Sequence, residues 1–312
     1  MTERSVIELL KDRRREPFAT ARNEKLGLVI EGGGMRGVIS SAAADAFHQL
    51  GYADCFDAVY GTSAGAINGA YFLSGQINLG TSIYYMNLTG RRFINPFRWP
   101  GPLNIHYLFD QWITSGKRLN VQALEQHRAP LFVTVTDYQS GEPHYLSSHE
   151  LPADEIVRAL RASASPPLYS NNIEELHGLR FLDGCVAAAI PFDKAVADGC
   201  THIVCLTTQP RPYRMKRDLV ERYLARFLLP KPTNIFLDSI DASARLYNET
   251  KVRIHESPPL PVLTITPAMH DFHISNAQTS QTNLLRAARE SMQRVALQLN
   301  EVEGSLKLYC QP

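Results

Sequence analysis

Leu26-Gly27-Leu28-Val29-Ile30-Glu31 runs directly into Gly32-Gly33-Gly34-Met35-Arg36-Gly37. A short apolar run that stops at a glycine cluster reads as a buried strand. Val38 to Leu50, which follows, is rich in alanine, lacks proline and meets Gly51 as a C-terminal stop, so it predicts a helix. The same order returns at once, with Ala58-Val59-Tyr60 as strand, Gly61-Thr62-Ser63-Ala64-Gly65 as turn, and a helical stretch to about Ser74. Strand, glycine turn and helix, twice within 75 residues, predict an α/β protein with a largely parallel sheet and helices on its faces.

Further along, Leu131 to Thr136 is β-branched and strand-like, and Gln139-Ser140-Gly141-Glu142 supplies a turn before His144-Tyr145-Leu146, which together predict a hairpin. Asp154 to Ala164 reads as a helix that stops at Pro166-Pro167. Leu179-Arg180-Phe181-Leu182 reads as a short strand ending at Asp183-Gly184, and His202 to Thr207 and Val262 to Ile265 read as later strands. Helical periodicity is expected over Arg214 to Leu229 and Gln278 to Glu303, and an irregular surface segment over Arg91 to Leu103. No convincing linker interrupts the chain, so one domain is expected.

The 312 residues, 44% of them hydrophobic, suffice for a large buried core. Formal charge is +1, from 32 Lys plus Arg against 31 Asp plus Glu, so no global field draws the protein to nucleic acid. Cys55, Cys185, Cys200, Cys205 and Cys310 are odd in number and lack metal-ligand spacing, which fits a reduced compartment and excludes a metal centre built on them. Met1 to Glu16 carries basic residues with no apolar run behind them, so it does not read as a signal peptide. Nor does any run approach the roughly 20 apolar residues of a membrane span. A cytoplasmic protein, soluble or peripheral on a membrane, is the expectation.

Chemistry concentrates at the two glycine turns. Ser63 lies at a strand-to-helix turn, where the flanking Gly61 and Gly65 permit the tight geometry of an exposed nucleophile and free helix amides face its developing charge. The loop Gly32-Gly33-Gly34-Met35-Arg36-Gly37 points several unobstructed amides at one anion, as an acyl oxyanion requires. It also satisfies the dinucleotide pattern GxGxxG. A nucleotide fold, however, calls for an acidic residue near the end of the second strand, where this chain has Gly61-Thr62-Ser63.

These residues resemble the patatin-like phospholipase family, in which a GGGx[RK]G loop, a GxSxG elbow and a later Asp-Gly pair occur in this order. The resemblance covers about residues 26–209, including Thr136-Asp137-Tyr138, Gly141-Glu142 and Ala162-Ser163-Ala164-Ser165-Pro166-Pro167. It implies a three-layer α/β/α sandwich with a mostly parallel central sheet, and lipid acyl hydrolysis without metal or cofactor. Ser63 would be the nucleophile, Asp183 the base, and the amides of Gly33 and Gly34 the oxyanion donors, with Gly32 and Met35 alongside. Arg36, Gly37, Gly61, Gly65 and Gly184 would support them. Residues 1–24 would then be an N-terminal extension, 25–209 the catalytic core, and 210–312 a helical portion packed on the same domain. Where the family usually has Gly or Ala after Asp-Gly, this chain has Cys185, either a buried structural thiol or one that makes the site sensitive to alkylation and oxidation.

A lipid ester is the expected substrate, and two segments suit a membrane surface. Residues 214–229 form a basic amphipathic pattern carrying Met215, Leu219, Val220, Tyr223, Leu224, Phe227 and Leu228. Within 91–99, Arg91-Arg92-Phe93 and Phe97-Arg98-Trp99 mix aromatic and basic side chains. Three other readings stay open: an α/β-hydrolase using a late histidine (His255, His270 or His273), a non-catalytic lipid-binding protein, and an acyltransferase. Replacing Asp183 by Asn, and each late histidine by Ala, separates the two hydrolase mechanisms. Ester hydrolysis by a Ser/Asp enzyme should collapse only in the first variant.

Overall fold

The computed structural model describes residues 4–16, 23–98, 101–170, 172–269 and 274–309. The chain runs α1 (Val6–Arg15), β1 (Leu26–Ile30), α2 (Gly37–Gln49), β2 (Ala58–Thr62), α3 (Ala64–Leu73), α4 (Ile77–Met86), α5 (Ile105–Leu108) and α6 (Val121–Glu125). It continues with β3 (Leu131–Asp137), β4 (Pro143–Ser147), α7 (Ala153–Ser163), β5 (Glu174–Leu176), β6 (Leu179–Asp183), α8 (Cys185–Ala188) and α9 (Phe192–Ala197). The last elements are β7 (His202–Leu206), α10 (Leu219–Leu228), α11 (Asn234–His255), β8 (Val262–Ile265) and α12 (Gln281–Leu299).

Strand side chains alternate between faces, and here both faces are covered. Leu26, Leu28 and Ile30 of β1, with Val59 of β2 and Val204 and Leu206 of β7, join one core with α1 to α4 and α12. Val29, Ala58, Tyr60, Ile203 and Cys205 point the other way, into a second core with Phe192 of α9 and Tyr247 and Ile254 of α11. The result is a three-layer α/β/α sandwich. Hydrogen-bonded neighbours follow the order β5-β6-β3-β2-β1-β7-β8, with β4 on β3. From β3 through β8 along that order every pairing is parallel, while β4 and β6 are antiparallel to β3 and β5 is antiparallel to β6.

The register around β3 places the site. Val133 pairs with Gly61 of β2 and with Leu146 of β4, while Val135 pairs with His144 of β4 and Asp183 of β6. A strand has two edges, and β4 occupies one of them throughout, so β2 and β6 share the other. Thr62 faces Thr134 and Asp183 faces Val135, one residue further on. The two strands therefore arrive end to end on the same edge, and the residue following β2 meets the last residue of β6.

At the N-terminal end, α1 opens with a capping box in which the Ser5 hydroxyl accepts the Glu8 amide and the Glu8 carboxylate accepts the Ser5 amide. Val6, Leu9 and Leu10 are buried in the main core. Arg13, only 2% exposed, fastens this helix by donating to the Cys55 and Glu24 carbonyls and to the Asp57 carboxylate, which also accepts the Leu26 amide.

Several sequence expectations need correction. The helix expected over 214–229 begins only at Leu219, because the Asp218 carboxylate accepts the Val220 amide and caps it there. Met215, placed by periodicity on that helix, lies in the preceding extended segment and is bonded through its backbone to Asn248. The irregular segment 91–103 is not wholly surface, since Phe93 and Ile94 are buried and Ile94 forms a bridge with Leu103. Among the described residues, no helix is long and apolar enough to cross a membrane.

Arg13→Met should cost about 2 kcal/mol of unfolding free energy, measured by chemical denaturation, because Asp57 and two carbonyls lose a buried cationic donor. An unchanged midpoint would show that α1 is not held by this residue.

Candidate active site

Ser63 follows β2 and precedes α3 with φ 55° and ψ −126°, a conformation that non-glycine residues rarely adopt. Its amide donates to the Ser163 hydroxyl at 2.8 Å, and that hydroxyl donates to the Thr134 carbonyl at 2.6 Å. Such a backbone persists only when its surroundings over-determine it. Gly65 makes the turn possible, because a Cβ there would stand 2.3 Å from the Ile30 carbonyl oxygen.

From this turn Ser63 Oγ donates to Asp183 Oδ2 at 2.9 Å. The other carboxylate oxygen of Asp183 accepts the Cys185 amide at 2.8 Å, and its backbone is held by Ser165 and Thr136. Asp183 is 2% exposed, and desolvation pushes its pKa up to about 6. Ionised at neutral pH and close to its titration, it is a stronger base than an exposed aspartate. Burial, reinforced by the neighbouring Asp183 charge, also drives the Cys185 thiol up, well above the usual range. A protonated thiol is a poor nucleophile, which favours the structural reading of Cys185 over the reactive one.

The glycine loop stands against the serine, since a Cβ on Gly32 would come 3.1 Å from Ser63 Cβ and 2.7 Å from Cys185 Sγ. Of the four amides expected to converge on an oxyanion, two are already engaged. Gly32 donates to the Ala189 carbonyl at 3.2 Å and Met35 to the Asn276 carbonyl at 3.0 Å. Gly33 and Gly34 have no acceptor among the described residues, and they lie where the loop reaches solvent. Gly34 has φ 56°, which turns the chain into the short 3₁₀ turn before α2. Gly37 opens α2, where its carbonyl accepts from Asn68, and Gly61 and Gly184 sit where β2 and β6 pass against neighbouring backbone. The Arg36 side chain lies along Gly33, and its buried Nε has no hydrogen-bond partner.

Beneath the loop, Glu31 is 2% exposed; its carboxylate accepts the Thr208 amide at 2.7 Å and the Tyr247 hydroxyl at 2.8 Å. Desolvation raises its pKa. Thr208 in turn donates through Oγ1 to the Gly32 carbonyl at 3.1 Å, so this network anchors the start of the loop to α11. Sequence reading passed over Glu31, Tyr247, Thr208 and Asn276, none of which carries a local motif. Ser163 did lie within a quoted stretch of the family resemblance.

Of the late histidines, the structure describes His255. Among the described residues, no histidine bonds to Ser63 or Asp183. His255 ends α11, where burial and the nearby Lys251, Arg211 and Arg214 depress its pKa to about 4. His270 and His273 lie outside the described residues.

The chain is similar to known proteins. The family model for patatin-like phospholipases matches residues 28–196, more than half of the chain. Over 231 residues the chain is 28% identical to the uncharacterized protein YjjU of Escherichia coli strain K12, a match that covers 70% of this chain and 62% of that protein. It thus spans less than two thirds of that relative's length. Among solved structures, human GIVD cytosolic phospholipase A2 in complex with methyl gamma-linolenyl fluorophosphonate aligns over 95% of this chain and 62% of that one, at 13% identity and TM-score 0.48. VipD from Legionella pneumophila aligns over 89% of this chain and 67% of its own, at 11% identity and TM-score 0.37. The extent of the family match establishes that the chain belongs to the patatin-like phospholipase family of lipid acyl hydrolases.

Proposed function

We propose that the protein hydrolyses carboxylic esters of lipids (phospholipid, lysophospholipid or acylglycerol) through an acyl-enzyme on Ser63, with Asp183 as base. The observation that carries this reading is the direct 2.9 Å bond from Ser63 Oγ to Asp183 Oδ2. Ser63 Oγ attacks the ester carbonyl carbon while Asp183 takes the hydroxyl proton. Negative charge gathers on the former carbonyl oxygen, opposite the amides of Gly33 and Gly34. The intermediate collapses, the alcohol leaves with the proton held by Asp183, and the acyl group remains on Ser63. Water then attacks the acyl carbon and gives its proton to Asp183; the carboxylic acid departs as Ser63 Oγ recovers that proton. In this reading Arg36, whose Nε beside Gly33 has no hydrogen-bond partner among the described residues, meets an anionic head group.

A fluorophosphonate probe should label the native protein and not Ser63→Ala, and mass spectrometry of a treated lipid extract should show free fatty acid only with the native protein. Absence of labelling in the folded native protein would refute the reading and favour a lipid-binding role.

The raised pKa of Asp183 has two measurable consequences. Activity needs the carboxylate, so kcat/KM should fall about tenfold per pH unit below about 6. For stability the sign is opposite. A folded pKa above the unfolded value means that the contribution is fully present below pH 3.8 and lost as pH rises through about 6. Ionised Asp183 therefore costs up to about 3 kcal/mol at neutral pH. Asp183→Asn should raise Tm at pH 7.5 while lowering kcat by on the order of a thousandfold; an unchanged or lower Tm would contradict the desolvation argument.

A further inference from the structure

The part of the surface that borders the Asp183 strand has a composition that solvent alone does not explain. Among the described residues, the exposed Phe, Trp and Tyr side chains are Phe97, Tyr169, Tyr223 and Phe227, at 85%, 47%, 64% and 67% exposure. A backbone hydrogen bond joins the segments of the first two, and the last two rings pack together on α10. Leu103, which closes the loop carrying Phe97, donates its amide to the Tyr169 carbonyl at 2.8 Å. The Tyr169 hydroxyl lies within electrostatic reach of Glu221 and Asp218 at the start of α10. From there α10 presents Val220, Tyr223 and Phe227, the two rings 4.8 Å apart, and Ile235 at the start of α11 adds another apolar side chain at 63% exposure.

Packing explains why this face of α10 is left outward. The helix already buries Ala225, with Leu229 just beyond its end, against Leu168, Leu182 and Val186. Leu182 and Val186 flank Asp183-Gly184-Cys185, so the apolar cluster that α10 joins, together with α11, also holds the two side chains on either side of the proposed base. An amphipathic helix with its apolar inner side satisfied has no folding reason to carry Tyr223 and Phe227 outside as well.

The charge around the rings indicates what covers them. Arg217 and Arg222 are bound to Asp241 and Asp238. Asp218, which caps its own helix, and the half-buried Glu221 are the carboxylates left beside Tyr169. The solvent-facing surplus is cationic: Arg91, Arg92, Lys216, Arg226 and Lys231 are exposed and have no carboxylate within ion-pair distance among the described residues. Exposed aromatic side chains on segments in which unpaired cations outnumber carboxylates match the headgroup level of an anionic bilayer.

We propose that this rim, from Phe97 through Tyr169 to Val220, Tyr223, Phe227 and Ile235, docks on an anionic lipid surface. The assignment differs from the sequence expectation for the same segments. Phe93 is buried and takes no part, Trp99 lies outside the described residues, and residues 214–218 contribute cations from the irregular segment before α10 rather than from a helix face. Docking stands apart from the ester chemistry, so a Ser63→Ala protein should bind as the native one does.

Co-sedimentation of the Ser63→Ala protein with phosphatidylcholine vesicles, with and without phosphatidylserine, tests it. Binding should require phosphatidylserine and weaken with added salt. Val220→Ser/Tyr223→Ser/Phe227→Ser, and separately Phe97→Ser, should each lower partitioning on the order of tenfold. Leu297→Ser, on the exposed side of α12, should leave it unchanged. All these side chains are exposed, so thermal unfolding should be unaffected; if the triple variant unfolds early, Phe97→Ser alone decides. Undiminished binding in the rim variants overturns the proposal, and so does a native dimer that the triple variant dissociates, which would make a second copy of the chain the occupant.

Discussion

β2 and β6 meet end to end on one edge of β3, and the candidate site is the consequence of that meeting. A strand edge offers one row of hydrogen-bonding groups, so where β2 stops at Thr62, β6 can take over at Asp183 only if it approaches antiparallel from the other end. The serine that turns away from β2 is thereby brought against the carboxylate that ends β6. Once the junction is fixed, the rest is crowding: Gly65 passes under the Ile30 carbonyl, Gly184 beside the Thr134 carbonyl, and Gly32 beside Ser63 and Cys185. Side chains at any of these positions would push the two strand ends apart.

Such a junction puts two carboxylates where water does not reach. Glu31 and Asp183 are each 2% exposed, and desolvation raises the pKa of both. Each accepts one backbone amide and one hydroxyl, and they differ in what that hydroxyl does. Glu31 is met by the Thr208 amide and the Tyr247 hydroxyl and serves to hold the glycine loop against α11. Asp183 accepts one backbone amide and the hydroxyl it is proposed to deprotonate. A carboxylate left this lightly bonded remains costly when ionised, and that cost is the source of its basicity. Stability and the proposed chemistry pull in opposite directions at one atom pair.

The same economy shapes the outer layer. α10 turns its small inner side, Ala225, into the apolar cluster it shares with α11 and leaves large apolar side chains, Val220, Tyr223 and Phe227, in solvent. Reading amphipathicity from a sequence identifies a stripe but cannot tell whether the stripe is core or surface, because that depends on which neighbour arrives to cover it.

What the sequence determined by itself was local. Runs such as Leu26–Ile30 and His202–Leu206, apolar on both faces, announced strands buried in a covered parallel sheet, and the two glycine turns announced where backbone amides and a serine would be exposed. Periodicity placed the start of α10 at Arg214, and the structure moved it to the Asp218 cap. Other matters rested on residues far apart along the chain. Ser63 and Asp183 are separated by 120 positions, and no pattern in either segment encodes their contact. Whether Gly32, Gly33, Gly34 or Met35 keeps a free amide was decided by the carbonyls of Ala189 and Asn276, delivered by segments that share no motif with the loop. Spacing and propensity act over a few residues and so are legible in order along the chain. Sheet register and the burial it enforces exist only once distant strands have paired, which is why the partners, the free donors and the basicity of Asp183 belonged to the tertiary structure.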